Sequence, residues 1–218
     1  MITVLIADDE ALVRDGLRAI LEVEMEFEVV GEAQDGEDAI KLVSQLRPQV
    51  VLMDIRMPKT DGLEATKQIM NLYTETKIII LTTFDQNEYV YRAMRAGASA
   101  FLLKDVRRKQ LTDAIRGVAS GELLIAPTTV RRLIEEFCNQ PLIFEGESPL
   151  IAGLTSREVD VLRQIGRGRS NSEIAQDLFI AETTVKTHIT RILFKSNLRD
   201  RAQAVVLAYE SGLVRTGD

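Results

Sequence analysis

The chain of 218 residues has few of the groups on which many enzymes and secreted proteins depend. It carries one cysteine, Cys138, so no disulfide can close within it and a reducing compartment is expected. It carries one histidine, His188, which excludes a metal cluster built from histidines. No apolar run approaches the roughly 20 residues that a bilayer-spanning helix needs. The start, "MITVLIADDE", lacks a basic lead-in and a small-residue cleavage site, so it reads as a first strand and not as a signal peptide. These absences lead us to expect a cytoplasmic location with no membrane partner. Nor is there a large excess of either charge. The net of -6 accompanies 45% hydrophobic and 28% charged residues, an ordinary globular balance. The length fits one large or two small domains. The charge is divided unevenly, with a net of -6 over residues 1–125, -2 over 126–149 and +2 over 150–218. That division is what two modules with different partners would show.

The first part alternates apolar runs with segments of helical period. The runs are Ile2–Ala7, Phe27–Gly31, Gln49–Asp54, Lys77–Thr82 and Ser99–Lys104. "LVRDGLRAILE", "GEDAIKLVSQL", "GLEATKQIMNL" and "NEYVYRAMRAG" lie between them, and a last helix is expected over Val106–Ala119. Near-continuous Val/Ile/Leu strands alternating with helices predict an α/β fold with a parallel sheet covered on both faces. In such sheets ligands bind at the carboxyl ends of the strands. Those ends carry Asp8 and Asp9, Asp54, Thr82 and Lys104. A strand order of 2-1-3-4-5 would gather them into one pocket. Singly, each has an ordinary role as a cap, a turn former or a solvated tip. Jointly, they form a coherent chemical set. Adjacent carboxylates repel unless a cation intervenes, and oxygen-only ligands suit Mg²⁺. Asp54 is a candidate nucleophile toward a phosphoryl group, with Lys104 to neutralise developing charge and Thr82 to donate a hydrogen bond.

The segments "ADDE", "MDIRMPKTDGLEA", "ILTTFD" and "GASAFLLKD" closely resemble the receiver domain of two-component response regulators. The resemblance implies that Asp54 is the phosphoacceptor, Thr82 and Phe101 the switch residues and Lys104 the family lysine. It implies a Mg²⁺ site from Asp8, Asp9, Asp54 and the backbone carbonyl of Arg56. Where that family often has proline after the lysine, this chain has Asp105, and a cis bond there would cost roughly 3 kcal/mol; the sequence leaves the isomer open. Arg56 and Phe84, two residues beyond Asp54 and Thr82, would flank the path of an attacking water. Aspartyl-phosphate phosphatases on related folds usually need a second Asp where Arg56 stands, which disfavours that enzymatic reading. A binder indifferent to phosphorylation is the other rival.

A joining segment with one expected helix, "TVRRLIEEF", precedes a second pattern of helices. Thr155 with Glu158, and Ser170 with Glu173, are capping-box pairs, and Gly212 suits the end of a last helix. "ETTVKTHITRILFKSN" has Val185, Ile189, Ile192 and Leu193 on one face and polar residues on the other. Two short helices joined by "FIAE" suggest a helix-turn-helix. The stretch "LTSREVDVLRQIGRGRSNSEIAQDL…TVKTHITRIL…LRDRAQAVVLAYESGL" closely resembles the LuxR-type helix-turn-helix, and both parts together resemble the NarL/FixJ subfamily. By that resemblance Lys186, Thr187 and Thr190 would reach base edges, while Arg191, Lys195 and His188 would hold phosphates. The family's N-cap serine is replaced by Ala181. The whole is therefore read as α/β plus all-α: a flavodoxin-like five-stranded parallel-sheet receiver over 1–121, a linker with one helix over 122–152, and a four-helix LuxR-type helix-turn-helix domain over 153–218. The implied partners are a sensor histidine kinase, double-stranded DNA and a second copy of the chain in a homodimer when phosphorylated or DNA-bound. Val206, Leu207 and Tyr209 of the last helix are candidates for the dimer surface, the alternative being that this apolar side is core.

Overall fold

The computed structural model describes residues 1–83, 87–120 and 149–214, the side chains of residues 87, 88, 91 and 149 excepted. The chain divides into two compact units, Met1–Leu124 and Ile125–Asp218.

The first unit is built on strands β1 (Ile2–Ala7), β2 (Phe27–Ala33), β3 (Val50–Met53), β4 (Lys77–Thr82) and β5 (Ala100–Leu103). All pairings are parallel, in the order β2-β1-β3-β4-β5. Helices α1 (Ala11–Glu22), α2 (Gly36–Leu46), α3 (Gly62–Leu72), α4 (Asn87–Ala96) and α5 (Arg108–Ala119) follow the strands in turn. Successive strand residues point to opposite faces. Val4, Ile6, Val50, Leu52, Ile79 and Leu81 thus pack on one side against Leu17 and Leu21 of α1 and Leu111, Ile115 and Val118 of α5. Leu5, Val51, Met53, Ile78 and Ile80 are equally buried on the other side, the side of α2, α3 and α4. A strand with both faces covered needs no polar face, which is why "VVLM" is wholly buried.

The helix boundaries have local causes. Asp35 and Asp61 cap α2 and α3, accepting from the N–H groups of Asp38 and Glu64. Gly62 does more than start α3. Its N–H donates to the Ile55 carbonyl at 2.8 Å, and a side chain at this position would overlap the backbone carbonyl of Asp54. The turn after β3 is therefore closed directly onto the strand end. Asp35 strengthens that turn from the neighbouring loop through a 2.6 Å ion pair with Lys59. The Lys104–Asp105 peptide is trans.

The second unit contains α6 (Ser156–Gly166), α7 (Asn171–Leu178), α8 (Glu182–Lys195) and α9 (Arg201–Glu210). Both expected capping boxes form, Thr155 with Glu158 and Ser170 with Glu173. Gly212, at φ +69°, ends α9. Its N–H reaches the Tyr209 carbonyl and the Leu213 N–H reaches that of Ala208, a Schellman closure. The expected dimer surface on this helix is not borne out as such. Val206, Leu207 and Tyr209 are buried within the chain, and the Tyr209 hydroxyl donates to the Gly166 carbonyl at 2.9 Å. With Ala202 and the run Ala204–Tyr209 all buried, the apolar surface of α9 is core.

The close approach at Gly62 yields a quantitative expectation. Gly62→Ala should lower the stability of the first unit by about 2–4 kcal/mol, because overpacking against backbone cannot relax through a rotamer. Thermal unfolding of the full chain, with Gly16→Ala in α1 as an unhindered control, measures it.

Candidate functional site

Four strand ends carry the predicted polar set, and the sheet ladder fixes each of them. The Asp54 N–H donates to the Ala7 carbonyl at 2.8 Å, the Asp8 N–H to the Ala33 carbonyl at 3.1 Å, and the Lys104 N–H to the Thr82 carbonyl at 2.8 Å. The β2-β1-β3-β4-β5 order thus places β1, β3, β4 and β5 side by side, as the sequence predicts. Asp54 is 6% exposed, and Asp8 and Thr82 are also buried.

Lys104 joins two of these carboxylates. Its Nζ lies 2.8 Å from Asp8 Oδ2 and 3.0 Å from Asp54 Oδ2. Asp54 Oδ1 accepts from the Ile55 N–H at 2.8 Å, and Asp8 Oδ1 from the Glu10 N–H at 3.0 Å. Burial pushes the Asp54 carboxyl above its ordinary range. The hydrogen bond and charge of Lys104 pull the other way, and the neighbouring Asp8 adds to the rise. Burial also opposes the charge of Lys104, yet Asp8 and Asp54 together raise its pKa. The lysine is thus firmly cationic, but its single charge is divided between two acids and does not restore Asp54 to the usual carboxylate range.

Asp8, Asp9 and Glu10 bring carboxylate oxygens within 4.8 Å of one another. Glu10 also lies 3.9 Å from Lys104 Nζ. It is the member of the pocket that sequence reasoning missed, although the third acid of "ADDE" was in plain view. An all-oxygen donor set beside a buried, incompletely neutralised Asp54 is chemically suited to a hard divalent cation. Arg56 is exposed, and its guanidinium donates to the Tyr89 hydroxyl of α4 at 3.3 Å. Phe101, in β5, is buried. Phe84 lies outside the described residues, as do Cys138 and the expected linker helix.

In the second unit α8 buries Val185 and Ile192 and exposes Lys186, Thr187, Thr190 and Arg191, the predicted outer face. The hydroxyls of Thr187 and Thr190 donate back to the carbonyls of Thr183 and Lys186, each at 3.0 Å. His188 is half-buried. Lys195 is engaged within the chain, its Nζ 2.7 Å from Glu158 Oε2. Glu158 in turn accepts from the Thr155 N–H at 2.8 Å, so the end of α8 is tied to the first turn of α6. Burial alone would raise the Glu158 carboxyl, but Lys195 and Thr155 outweigh it and hold the group at about 2.

The comparisons with known proteins agree with this geometry. Residues 4–116 match the model of the response regulator receiver domain, and residues 152–208 match that of bacterial regulatory proteins of the luxR family. An uncharacterized transcriptional regulatory protein of Bacillus subtilis, YxjL, is 46% identical over 214 residues, covering 98% of each chain. The transcriptional regulatory protein LiaR of the same organism is 42% identical, over 98% of this chain and 100% of its own. Among solved structures, the response regulator ChrA of a heme-sensing two-component system aligns over 98% of each chain, at a TM-score of 0.53 and 34% identity. The receiver domain of a putative response regulator NarL from Mycobacterium tuberculosis aligns over 55% of this chain and 97% of its own, at a TM-score of 0.54 and 34% identity. A parallel-sheet unit with acids at its strand ends, followed by a helix-turn-helix unit, defines a class of two-module regulators. Within that class, the chain belongs to the response-regulator family that joins a receiver domain to a luxR-family domain.

Two outcomes are expected from the α8 environment. Ala181, the N-cap of α8, makes no side-chain capping bond. Ala181→Ser should therefore stabilise the second unit by about 1 kcal/mol, seen as a higher Tm for its transition in the full chain. Glu158 has a depressed pKa, so its contribution is complete above the unfolded value of about 4.3 and is lost as pH falls toward about 2. Glu158→Gln should cost about 1.5–3 kcal/mol at neutral pH and flatten that acid limb in a pH series of urea melts.

Proposed function

We propose that this chain is a DNA-binding transcription regulator switched by phosphorylation of Asp54. The observation that supports the reading most strongly is the single Lys104 ammonium shared by Asp8 and Asp54 in a protein that also carries an exposed polar helix-turn-helix face. An Asp54 carboxylate oxygen attacks the phosphorus of a phosphohistidine on a sensor histidine kinase. A P–O bond forms and the P–N bond breaks, its electron pair leaving with the kinase imidazole, which takes up a proton. Lys104 then donates to the phosphoryl oxygens, the Thr82 hydroxyl donates to another of them, and Phe101 responds as the switch aromatic. Mg²⁺ held by Asp8, Asp9, Asp54 and the Arg56 carbonyl would supply the positive charge that offsets the phosphoryl oxygens.

The covalent phosphoryl group acts as a ligand with different affinity for two receiver states. Its output is release of the DNA-binding module and homodimerisation on paired half-sites. In DNA recognition Lys186, Thr187 and Thr190 meet base edges, and Arg191 and His188 meet phosphates. Lys195 would join the phosphate contacts only by sharing or leaving Glu158. The working boundaries are 1–121, 122–152 and 153–218, and the setting is the cytoplasm.

Incubation with acetyl phosphate and Mg²⁺, read by intact mass, tests the switch. One phosphoryl adduct is expected on the native chain and none on Asp54→Ala. A native chain that gains no adduct, or an Asp54→Ala chain that keeps it, overturns the assignment. An unphosphorylated chain whose DNA binding equals that of the phosphorylated one favours the phosphorylation-independent reading.

A further inference from the structure

Phe194 is 85% exposed, near the C-terminal end of α8. A single exposed apolar residue is ordinary on a protein surface, so its setting decides what it means. Thr183, Thr187, Thr190 and Phe194 follow one another at steps of four, three and four residues, which places them on one stripe of the helix. All four are exposed. The Thr187 and Thr190 hydroxyls donate to the Thr183 and Lys186 carbonyls, each at 3.0 Å. A hydroxyl has one proton to give. While these bonds hold, neither threonine has a donor to spare for a base, and each can still offer its methyl group. The apolar groups available along the stripe are therefore two methyls and a phenyl ring.

The surroundings point to the occupant. No acidic residue lies between Glu182 and Asp200, whereas that segment carries Lys186, Arg191, Lys195 and Arg199. Lys195 is engaged by Glu158, while Lys186 and Arg191 are exposed beside the stripe. Cations around an apolar strip, with no acid among them, complement a polyanion better than they do an apolar protein surface. The major groove of duplex DNA offers both properties. Phosphates line its rims, and within it thymine presents a 5-methyl group that the other three bases lack. A recognition helix enters with its N-terminal residues at the base edges. Phe194 lies about 10 Å further along the axis than Thr187, so the strip spans much of a groove about 12 Å wide.

We propose that Phe194, continued by the methyl groups of Thr190 and Thr187, is a specificity residue that packs on thymine 5-methyl groups in the major groove. This rests on the reading of α8 as the DNA-facing helix, and it adds the chemistry by which that helix selects sequence. The cations hold any duplex, because phosphates carry no sequence information. The apolar strip discriminates, because only thymine supplies the methyl.

In the test, the full chain, after incubation with acetyl phosphate and Mg²⁺, enriches a duplex from a random-sequence pool. That duplex is then made twice, once with thymine and once with uracil, which pairs identically and lacks only the methyl. The native chain should bind the thymine form about four- to fifteenfold more tightly, as one or two methyl contacts would give. Phe194→Ala should bind the uracil form within about twofold of the native chain and the thymine form about three- to fivefold more weakly, so that the two changes are coupled. Phe194→Leu should keep most of the native ratio. Thr190→Ser, which deletes a methyl and keeps the hydroxyl, should lower the ratio, and Thr190→Val should not. Each ratio is measured on one protein sample, so any unfolded fraction cancels. Equal binding of the two forms by the native chain overturns the proposal. So does an equal loss on both forms by Phe194→Ala, which would make Phe194 a general packing contact. An unchanged ratio with loss of the dimer in sedimentation also overturns it, assigning Phe194 to a second copy. A pool from which nothing is enriched instead overturns the DNA-binding reading, and this proposal with it.

Discussion

One ammonium between two buried carboxylates organises the first unit. Lys104, just beyond β5, reaches Asp8 just beyond β1 and Asp54 just beyond β3, so a single side chain spans the carboxyl-end edge of the sheet. The geometry is possible only because the strands run parallel in this order, which brings all their carboxyl ends to one side. It is also electrostatically incomplete. One cation serves two acids, with Glu10 at 3.9 Å as a third neighbour, and burial still lifts Asp54. A centre tuned only for stability would pair its charges one to one or replace them with apolar side chains. The deficit of positive charge is the physical basis for expecting a divalent cation, and the depth of Asp54 is the basis for expecting its modification to be felt by the core around it.

The second unit solves a different problem. The four helices described in it have their ends secured individually, by capping boxes at α6 and α7, Asp200 at α9 and the Gly212 closure. The exception is Ala181, where the helix assigned to DNA begins without a side-chain cap. The opposite end of that helix is compensated by the Lys195–Glu158 pair. Arg201 adds a further tie, reaching Asn171 Oδ1 at 2.8 Å and the Arg169 carbonyl.

What the sequence made legible was what depends on neighbours along the chain. Apolar runs located the strands to within a few residues, and β2 extends to Ala33 only because its edge pairing with β1 continues past Gly31. The run ending in Asp54, the strand-end Thr82 and Lys104, and the missing cap at Ala181 could all be read directly. Contacts between distant residues could not. Glu158 and Lys195 are 37 residues apart and Asp35 and Lys59 are 24 apart, and nothing local in either member announces the other. The same limit explains the misplaced dimer surface. Val206, Leu207 and Tyr209 form an apolar face that a sequence cannot assign to a partner or to the protein's own core, and here α6 claims it through Gly166. Sharing of Lys104 between Asp8 and Asp54 was likewise invisible in the sequence.

The division of α8 into two faces has an evolutionary consequence. Val185 and Ile192 anchor the helix, whereas Lys186, Thr187, Thr190 and Arg191 add nothing to the core. Even the threonine hydroxyls are satisfied by their own helix. If that face reads DNA, as proposed, copies of such a domain can drift in target preference after gene duplication while their folding remains under separate selection.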